Sequence, residues 1–281
     1  MSYSYSYDPK TARFGFGTST LRDQETLIKY LREVNNHPYD FVDCAWRYGN
    51  EAIIGLSLKS LRREDPNFEL KLNFQSKVWP TQFFGGITKS LKFTLQKIGV
   101  LSAIDAYMLH RPAHDMSLNL SAWKQLIECK RNRLTKNIGL GHFDKDLIEK
   151  LYEATGIRPQ FLQIELSVNN MRYDRIHYCR QHNIEIQAYE PLGDYEENLK
   201  NPLLIRLSEK YNTSIKHILL AFLLNQGIVP VVIPENVEEI GELLKAKEIL
   251  LDPEDIELMR SLNTYKNKHF ESLELDFKEE K

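Results

Sequence analysis

The sequence has little cysteine and no long hydrophobic run. Three cysteines occur among 281 residues, and no two of them form a CxxC pair. Such an odd, sparse count gives no disulfide framework and suits a reducing compartment. No apolar stretch approaches the roughly 20 residues that cross a bilayer, so no membrane partner is expected. The opening segment MSYSYSYDPK lacks the apolar stretch of a secretory signal. A cytoplasmic location is therefore expected.

The chain also lacks an excess of charge of either sign. Its 37 Lys and Arg residues almost balance its 39 Asp and Glu residues, for a formal net charge of −2. No basic run is long enough to bind a polyanion, so we expect no nucleic-acid partner. Hydrophobic residues at 42% and charged residues at 27% are typical of a globular protein. In the absence of any oligomerisation signal, a monomer is expected.

Eight short apolar runs alternate with amphipathic helical stretches. Strands that are apolar throughout indicate a parallel sheet buried on both faces. Eight strand–helix units in roughly 250 residues predict an α/β fold of the closed (β/α)8, or TIM barrel, type. We expect one domain over residues 1–281, with its core at about 13–262 and a C-terminal tail at 263–281. The predicted strands are Arg13–Gly17, Tyr39–Asp43, Leu70–Val78, Ala103–Leu109, Lys136–Leu140, Gln160–Leu166, Ile184–Tyr189 and Val229–Ile233.

An open doubly wound sheet is the main structural alternative. That fold would need a GxGxxG phosphate-binding turn after the first strand. The first predicted strand carries Gly15 and Gly17, but no third glycine follows in register. The barrel is therefore favoured.

Four polar residues follow the ends of neighbouring predicted strands. Asp43 ends the second strand and Tyr48 lies in the loop after it, Lys77 lies near the end of the third, and His110 follows the fourth. The active site of such a barrel is built at the C-terminal ends of its strands, so these side chains should meet at one rim. A free tyrosine has a pKa near 10, and a neighbouring cation lowers it by stabilising the phenolate. We therefore expect Lys77, held by Asp43, to make Tyr48 a general acid.

Six segments carry a resemblance to the aldo-keto reductase family. They occur in the family's order and at its spacing between about residues 14 and 262. The first is similar to the family signature DxAxxYxNE, and the others resemble its lysine, histidine, QIE, AYSPL and IPK segments. These segments are Asp43–Glu51, Ser76–Trp79, Leu109–Pro112, Gln163–Glu165, Ala188–Leu192 and Ile233–Pro234.

The resemblance implies a (β/α)8 barrel that binds an extended nicotinamide dinucleotide, ordinarily NADPH, across its mouth and reduces a small aldehyde or ketone. It implies that Tyr48 is the proton donor and that His110 orients the carbonyl. By the same resemblance, Tyr189 stacks on the nicotinamide ring and Gln163 hydrogen-bonds its carboxamide. The cofactor supplies the hydride, while the protein positions and polarises the substrate.

Several cofactor positions depart from the family pattern. Gly141 and His142 stand where the family usually has Ser-Asn, and Glu190 replaces a serine. Glu235 and Asn236 replace a Lys-Ser pair.

The segment that follows this pair lacks the family's arginine and carries Glu239 instead. Arginine and lysine suit the 2′-phosphate of NADPH, whereas glutamate repels it and can instead accept from ribose hydroxyls. These replacements predict a weakened preference for NADPH and a shift toward NADH.

Three residues are expected to form the substrate pocket. Trp46 and Trp79 are expected in its wall, and Arg111 follows the catalytic histidine. Arg111 either recruits an anionic substrate or pairs with an outer acidic residue. No His, Cys or carboxylate spacing predicts a metal site.

Structural roles remain open for individual residues. Asp43 is a possible helix N-cap, Lys77 a strand-end surface residue, His110 a structural histidine, and Gln163 a buried side chain that bonds backbone. Two other functions also remain open. One is a non-catalytic regulatory subunit of the same fold, and the other is a lyase that uses Lys77 as a Schiff base.

Overall fold

The computed structural model describes residues 7–265. Eight parallel strands pair in sequence order, and β8 pairs with β1, so that the sheet closes into a barrel. The predicted α/β class and (β/α)8 barrel are confirmed. The strands are β1 (Gly15–Gly17), β2 (Phe41–Asp43), β3 (Asn73–Val78), β4 (Ile104–Leu109), β5 (Thr135–Gly141), β6 (Phe161–Glu165), β7 (Glu185–Tyr189) and β8 (Ile228–Val232).

Helices cover the outside of the barrel between successive strands. Several begin at an Asp, Asn or Ser whose side chain accepts a backbone N–H of the first turn, as Asp23, Asp144 and Ser214 do. The helices are α1 (Gln24–Val34), α2 (Glu51–Glu64), α3 (Ile87–Ile98), α4 (Met116–Arg131), α5 (Lys145–Thr155), α6 (Tyr173–Gln181), α7 (Tyr195–Asn198), α8 (Pro202–Lys210), α9 (Ile215–Leu224), α10 (Glu239–Leu243) and α11 (Pro253–Arg260).

Six strands begin one to three residues later than their apolar patterns predict, and β1 and β3 show the cause. The backbone N–H of Phe14 donates to the Asp40 carboxylate at 2.7 Å instead of joining a ladder. The backbone N–H of Lys71 likewise donates to the Asn35 side chain at 2.8 Å. These side chains satisfy backbone donors that strand pairing would otherwise satisfy, so β1 and β3 start after them.

The main hydrophobic core lies between the strands and the helices, and two small apolar clusters lie apart from it. One consists of Phe41, Val229 and Val231, and the other of Ala106, Met108 and Phe161. The members of each small cluster come from alternate strands, β2 and β8 in one and β4 and β6 in the other, at positions that alternate with residues of the main core. This alternation places the two small clusters inside the barrel.

The chain leaves the barrel next to the loop after β6. Asn263 accepts the backbone N–H of Met171 at 2.9 Å, and the backbone N–H of Thr264 donates to the Asn169 carbonyl at 3.0 Å. The rest of the predicted tail at 263–281 lies outside the described residues. Within residues 7–265, no helix is both long enough and apolar enough to span a bilayer.

Candidate active site

A cavity of about 600 Å³ opens at the C-terminal ends of the strands. It brings together residues from all eight strand ends and their loops, together with helix residues of the last third of the chain. The residues of the predicted site that line it are Asp43, Tyr48, Trp79, His110, Arg111, His142, Gln163, Tyr189, Glu190, Glu235 and Glu239. Gly141, Trp46 and Asn236 do not line it, and Lys77 lies directly behind Tyr48.

Asp43, Lys77 and Tyr48 form one hydrogen-bonded chain at this rim. The Lys77 ammonium donates to Asp43 Oδ2 at 2.5 Å and to Tyr48 Oη at 3.0 Å. Lys77 and Asp43 are 1% and 3% exposed, so this is a buried ion pair and not a surface contact. Asp43 does not cap a helix, because Asn50 occupies the N-cap of α2. Lys77 donates to the tyrosine oxygen, which leaves the phenol proton free to face the cavity.

The pKa of Tyr48 is raised, contrary to the lowered value expected from its lysine neighbour. Burial is the largest influence and raises the pKa to about 12. The charge of Lys77 lowers it and that of Asp43 raises it, so the lysine only partly offsets the cost of burying a phenolate. For Lys77, burial lowers the pKa, but Asp43 and Tyr48 together outweigh it and the net pKa is raised. Both groups therefore hold their protons at neutral pH.

His110 packs edge-on between two aromatic rings. Its ring centroid lies 4.9 Å from that of Trp79 and 5.8 Å from that of Tyr48. Burial, followed by the charges of Lys77, His142, Arg111 and Arg47, holds its pKa well below the usual 6.5. The imidazole is therefore neutral at physiological pH and can donate one hydrogen bond.

Gly141 allows close packing at the rim because it has no side chain. A Cβ at this position would lie 2.2 Å from the carbonyl oxygen of His110. β5 can therefore pass close behind His110 only because this residue is glycine. Gly141 contributes close packing, while the neighbouring His142 lines the cavity with its ring 5.1 Å from that of Tyr189.

Two non-glycine residues at this rim have left-handed backbone. His142 (φ 60°) follows β5 directly, and Glu190 (φ 50°) follows β7 directly. Such conformations are uncommon outside glycine and occur often at functional sites. Both side chains line the cavity.

Gln163 belongs to a group of three buried glutamines inside the barrel. Its Nε2 donates to Asp43 Oδ1 at 3.1 Å and to Gln187 Oε1 at 3.1 Å, so this side chain bonds other side chains and not backbone. Gln75 Nε2 also donates to Asp43 Oδ1, at 2.5 Å, and to Gln187 Oε1, at 3.0 Å. Gln187 in turn donates to Glu185 at 2.9 Å. A polar column therefore runs from the Asp43 carboxylate down the barrel interior.

The outer end of the cavity carries two glutamates around one lysine. Lys216 of α9 donates to Glu235 at 3.0 Å and also binds Glu239. Asn236 accepts the backbone N–H of Glu239 at 2.9 Å, so it shapes the start of α10. Lys216, which the sequence reasoning missed, is only 14% exposed. Lys216 lies in the first turn of α9, where a positive charge is unfavourable because it opposes the helix dipole. This unfavourable position is the sequence signal that could have identified it.

Trp79 is flanked by two arginines. The guanidinium carbons of Arg47 and Arg111 each lie 5.4 Å from its ring centroid, and both arginines line the cavity. Arg47 is the second residue that sequence reasoning missed, although it directly precedes Tyr48. Trp46 is partly buried but lies outside the cavity lining. Among residues 7–265, no group of three or more His, Cys, Asp or Glu side chains could hold a metal ion.

Known proteins resemble this chain along almost its whole length. Methylglyoxal reductase DkgB of Escherichia coli O157:H7 is 29% identical over 253 residues, which are 89% of this chain and 92% of the relative. A relative from Schizosaccharomyces pombe, named NAD/NADP-dependent indole-3-acetaldehyde reductase, is 25% identical over 268 residues, or 91% and 92% of the two chains.

A solved structure has the same fold. The aldo-keto reductase MGS-M4 from a Medee basin deep-sea metagenome library superposes with a TM-score of 0.83 at 26% identity, covering 94% of this chain and 95% of the other. The sequence model of the Aldo/keto reductase family matches residues 13–264. The chain therefore belongs to the aldo/keto reductase family.

Proposed function

We propose that this protein reduces a small aldehyde or ketone with a nicotinamide cofactor and that Tyr48 donates the proton. Family membership and relatives named as reductases of methylglyoxal and of indole-3-acetaldehyde support carbonyl reduction in general. The observation that carries the proton-donor assignment is the contact of the buried Lys77 ammonium with Tyr48 Oη at 3.0 Å.

In this proposal Tyr48 protonates the substrate oxygen as charge develops on it. The resulting phenolate lies next to the Lys77 ammonium, and Asp43 holds that ammonium in place. A raised pKa suits this direction of transfer because the phenol stays protonated until the much more basic alkoxide forms. The neutral His110 donates a hydrogen bond to the same oxygen and orients the carbonyl.

The inner part of the cavity fits a nicotinamide ring. Both N–H groups of Gln163 are engaged by Asp43 and Gln187, which directs its carbonyl oxygen to accept from a carboxamide. Tyr189 offers a ring for stacking, and His142 lies beside it. The bound nicotinamide would supply the hydride, while these residues would set its position.

The outer part of the cavity suits ribose hydroxyls better than a 2′-phosphate. One lysine, Lys216, faces two carboxylates, Glu235 and Glu239, so this subsite keeps a net negative charge. Carboxylates accept hydrogen bonds from hydroxyls and repel phosphate. We infer a preference for NADH over NADPH.

The first experiment measures cofactor binding by quenching of intrinsic tryptophan fluorescence. We expect NADH to bind more tightly than NADPH. Glu239→Gln should improve the affinity for NADPH relative to NADH, because Lys216 is then less neutralised. The matched control is Glu238→Gln, whose side chain is exposed and outside the cavity lining. Much tighter binding of NADPH by the unmodified protein would refute the NADH preference.

The second experiment measures aldehyde reduction. Tyr48→Phe should lower kcat by at least about 100-fold, since general acid catalysis contributes roughly 10² to 10⁴. Its dinucleotide affinity should change little. Tyr265→Phe, at an exposed tyrosine, is the matched control. Full activity of Tyr48→Phe would rule out the assigned acid.

A non-catalytic regulatory role is the second candidate function. The observation that favours it is the acidic outer subsite with Glu235 and Glu239, which, like Glu190 after β7, replace the family's usual residues. Failure to bind either dinucleotide would decide for this role. The raised pKa of Lys77 argues against the lyase alternative, because a Schiff base needs a neutral amine.

A further inference from the structure

The substrate end of the cavity has an excess of positive charge. Arg47 and Arg111 both line it, next to Trp79. Arg111 is 7% exposed, so its guanidinium is held inside the protein beside the indole ring, whereas Arg47 is exposed at the rim. The pair therefore spans the path from solvent to the reacting group.

Both guanidinium groups act on the catalytic histidine. After burial, the charges of Lys77, His142, Arg111 and Arg47 lower the pKa of His110. The charges of the two arginines are therefore felt at His110, which in the proposed reaction binds the carbonyl oxygen of the substrate. An anionic substituent on the substrate would therefore be attracted to the place where its carbonyl must react.

Lysines bind three of the four carboxylates that line the cavity. Asp43 binds Lys77, and Glu235 and Glu239 bind Lys216. Among residues 7–265, no carboxylate lies within ion-pairing distance of Arg47, whose ring contact is with Trp79. The outer end of the cavity is thus acidic, while the substrate end is basic.

We propose that the substrate is a carbonyl compound that carries a carboxylate, which Arg47 and Arg111 bind while its aldehyde or ketone oxygen faces Tyr48 and His110. This inference rests on the proposed reductase function. A guanidinium presents a planar fork of donors that matches a carboxylate, and burial next to an aromatic ring holds that fork in a fixed orientation. Arg47 and Arg111 would determine specificity and would not take part in proton transfer.

The test compares two substrates of nearly equal size, 4-formylbenzoate and its methyl ester. In the unmodified protein, kcat/KM for the acid should exceed that for the ester by about tenfold or more, mainly through KM. Arg47→Gln and Arg111→Gln should each reduce this ratio, and the double variant should bring it close to one. The matched control is Arg63→Gln, at an exposed residue of α2 that removes the same charge. The control should keep the full ratio.

Binding supplies a readout that does not depend on turnover. Benzoate should quench the tryptophan fluorescence of the unmodified protein at lower concentration than benzamide does, and added salt should weaken benzoate binding alone. Because Arg47 is exposed, its variant keeps the test valid even if Arg111→Gln fails to fold.

Two failures are distinguishable. If acid and ester are reduced with equal kcat/KM, or if the double variant keeps the preference for the acid, the proposal of an anionic substrate is wrong. The proposed reductase function would be unaffected by either result. Reduction of neither compound by folded protein that binds the dinucleotide would overturn both.

Discussion

At the scale of single residues, the balance around Tyr48 sets the chemistry. Its oxygen touches the Lys77 ammonium, yet burial raises its pKa to about 12. In the resting protein Tyr48 therefore stays protonated despite the nearby lysine. Lys77 would stabilise the phenolate only after Tyr48 has donated its proton. Such a group keeps its proton at physiological pH, as the proposed proton donor must.

This balance predicts the pH profile of reduction. Activity requires protonated Tyr48, and the pKa of His110 is well below 6.5. We expect kcat/KM to stay level between about pH 7 and pH 10, because neither group changes its charge in that range. Steady-state rates measured across this range would check it. An alkaline decline with an apparent pKa between about 8 and 9 would show that Lys77 outweighs burial.

At the scale of elements, the end of β5 controls the position of His110. Gly141 brings the strand so close that a Cβ there would lie 2.2 Å from the His110 carbonyl oxygen and 3.0 Å from its carbonyl carbon. Backbone atoms cannot move aside as a flexible side chain can. The spacing of β4 and β5 at the rim thus depends on one missing methyl group.

Gly141→Ala should therefore push the end of β4 outward. We expect a loss of about 1 to 3 kcal/mol in the free energy of unfolding, as for overpacked cores, and a lower kcat because His110 moves. Denaturant unfolding and steady-state kinetics would measure both effects. Gly85→Ala is the control, since a Cβ at Gly85 meets nothing within 4 Å. Equal stability of the two variants would contradict this account.

At the scale of the whole molecule, the barrel interior carries a polar column where apolar layers are usual. Gln187 bonds Gln75 across the barrel, between strands that are not neighbours, and it also bonds Gln163. Both of those glutamines donate to Asp43, so the column supports this carboxylate from below. Gln187 is 1% exposed, so no water replaces its bonds at the protein surface.

Gln187→Leu should leave one buried N–H of each partner glutamine without an acceptor. We expect the free energy of unfolding to fall by about 2 to 6 kcal/mol, at roughly 1 to 3 kcal/mol for each of the two unsatisfied groups. Urea denaturation would measure it. Gln96→Leu, at an exposed position of α3, should change stability by no more than about 0.5 kcal/mol. A Gln187→Leu protein as stable as this control would show that the column contributes nothing.

The sequence by itself determined the barrel and the family, and it predicted that Asp43, Tyr48, Lys77 and His110 meet at one rim. These follow from local patterns, because apolar runs predict strands and parallel strands bring their C-terminal ends to one rim. Strand starts were less well predicted, since side-chain acceptors such as Asp40 take the backbone donors there.

Only the tertiary structure decided how the groups at that rim affect one another. The direction of the Tyr48 pKa shift depends on burial, which no motif reports. Lys216 meets Glu235 across 19 residues, and Gln75 meets Gln187 across 112. Such partners are brought together by closure of the barrel, so their pairing is a property of the fold and not of any segment.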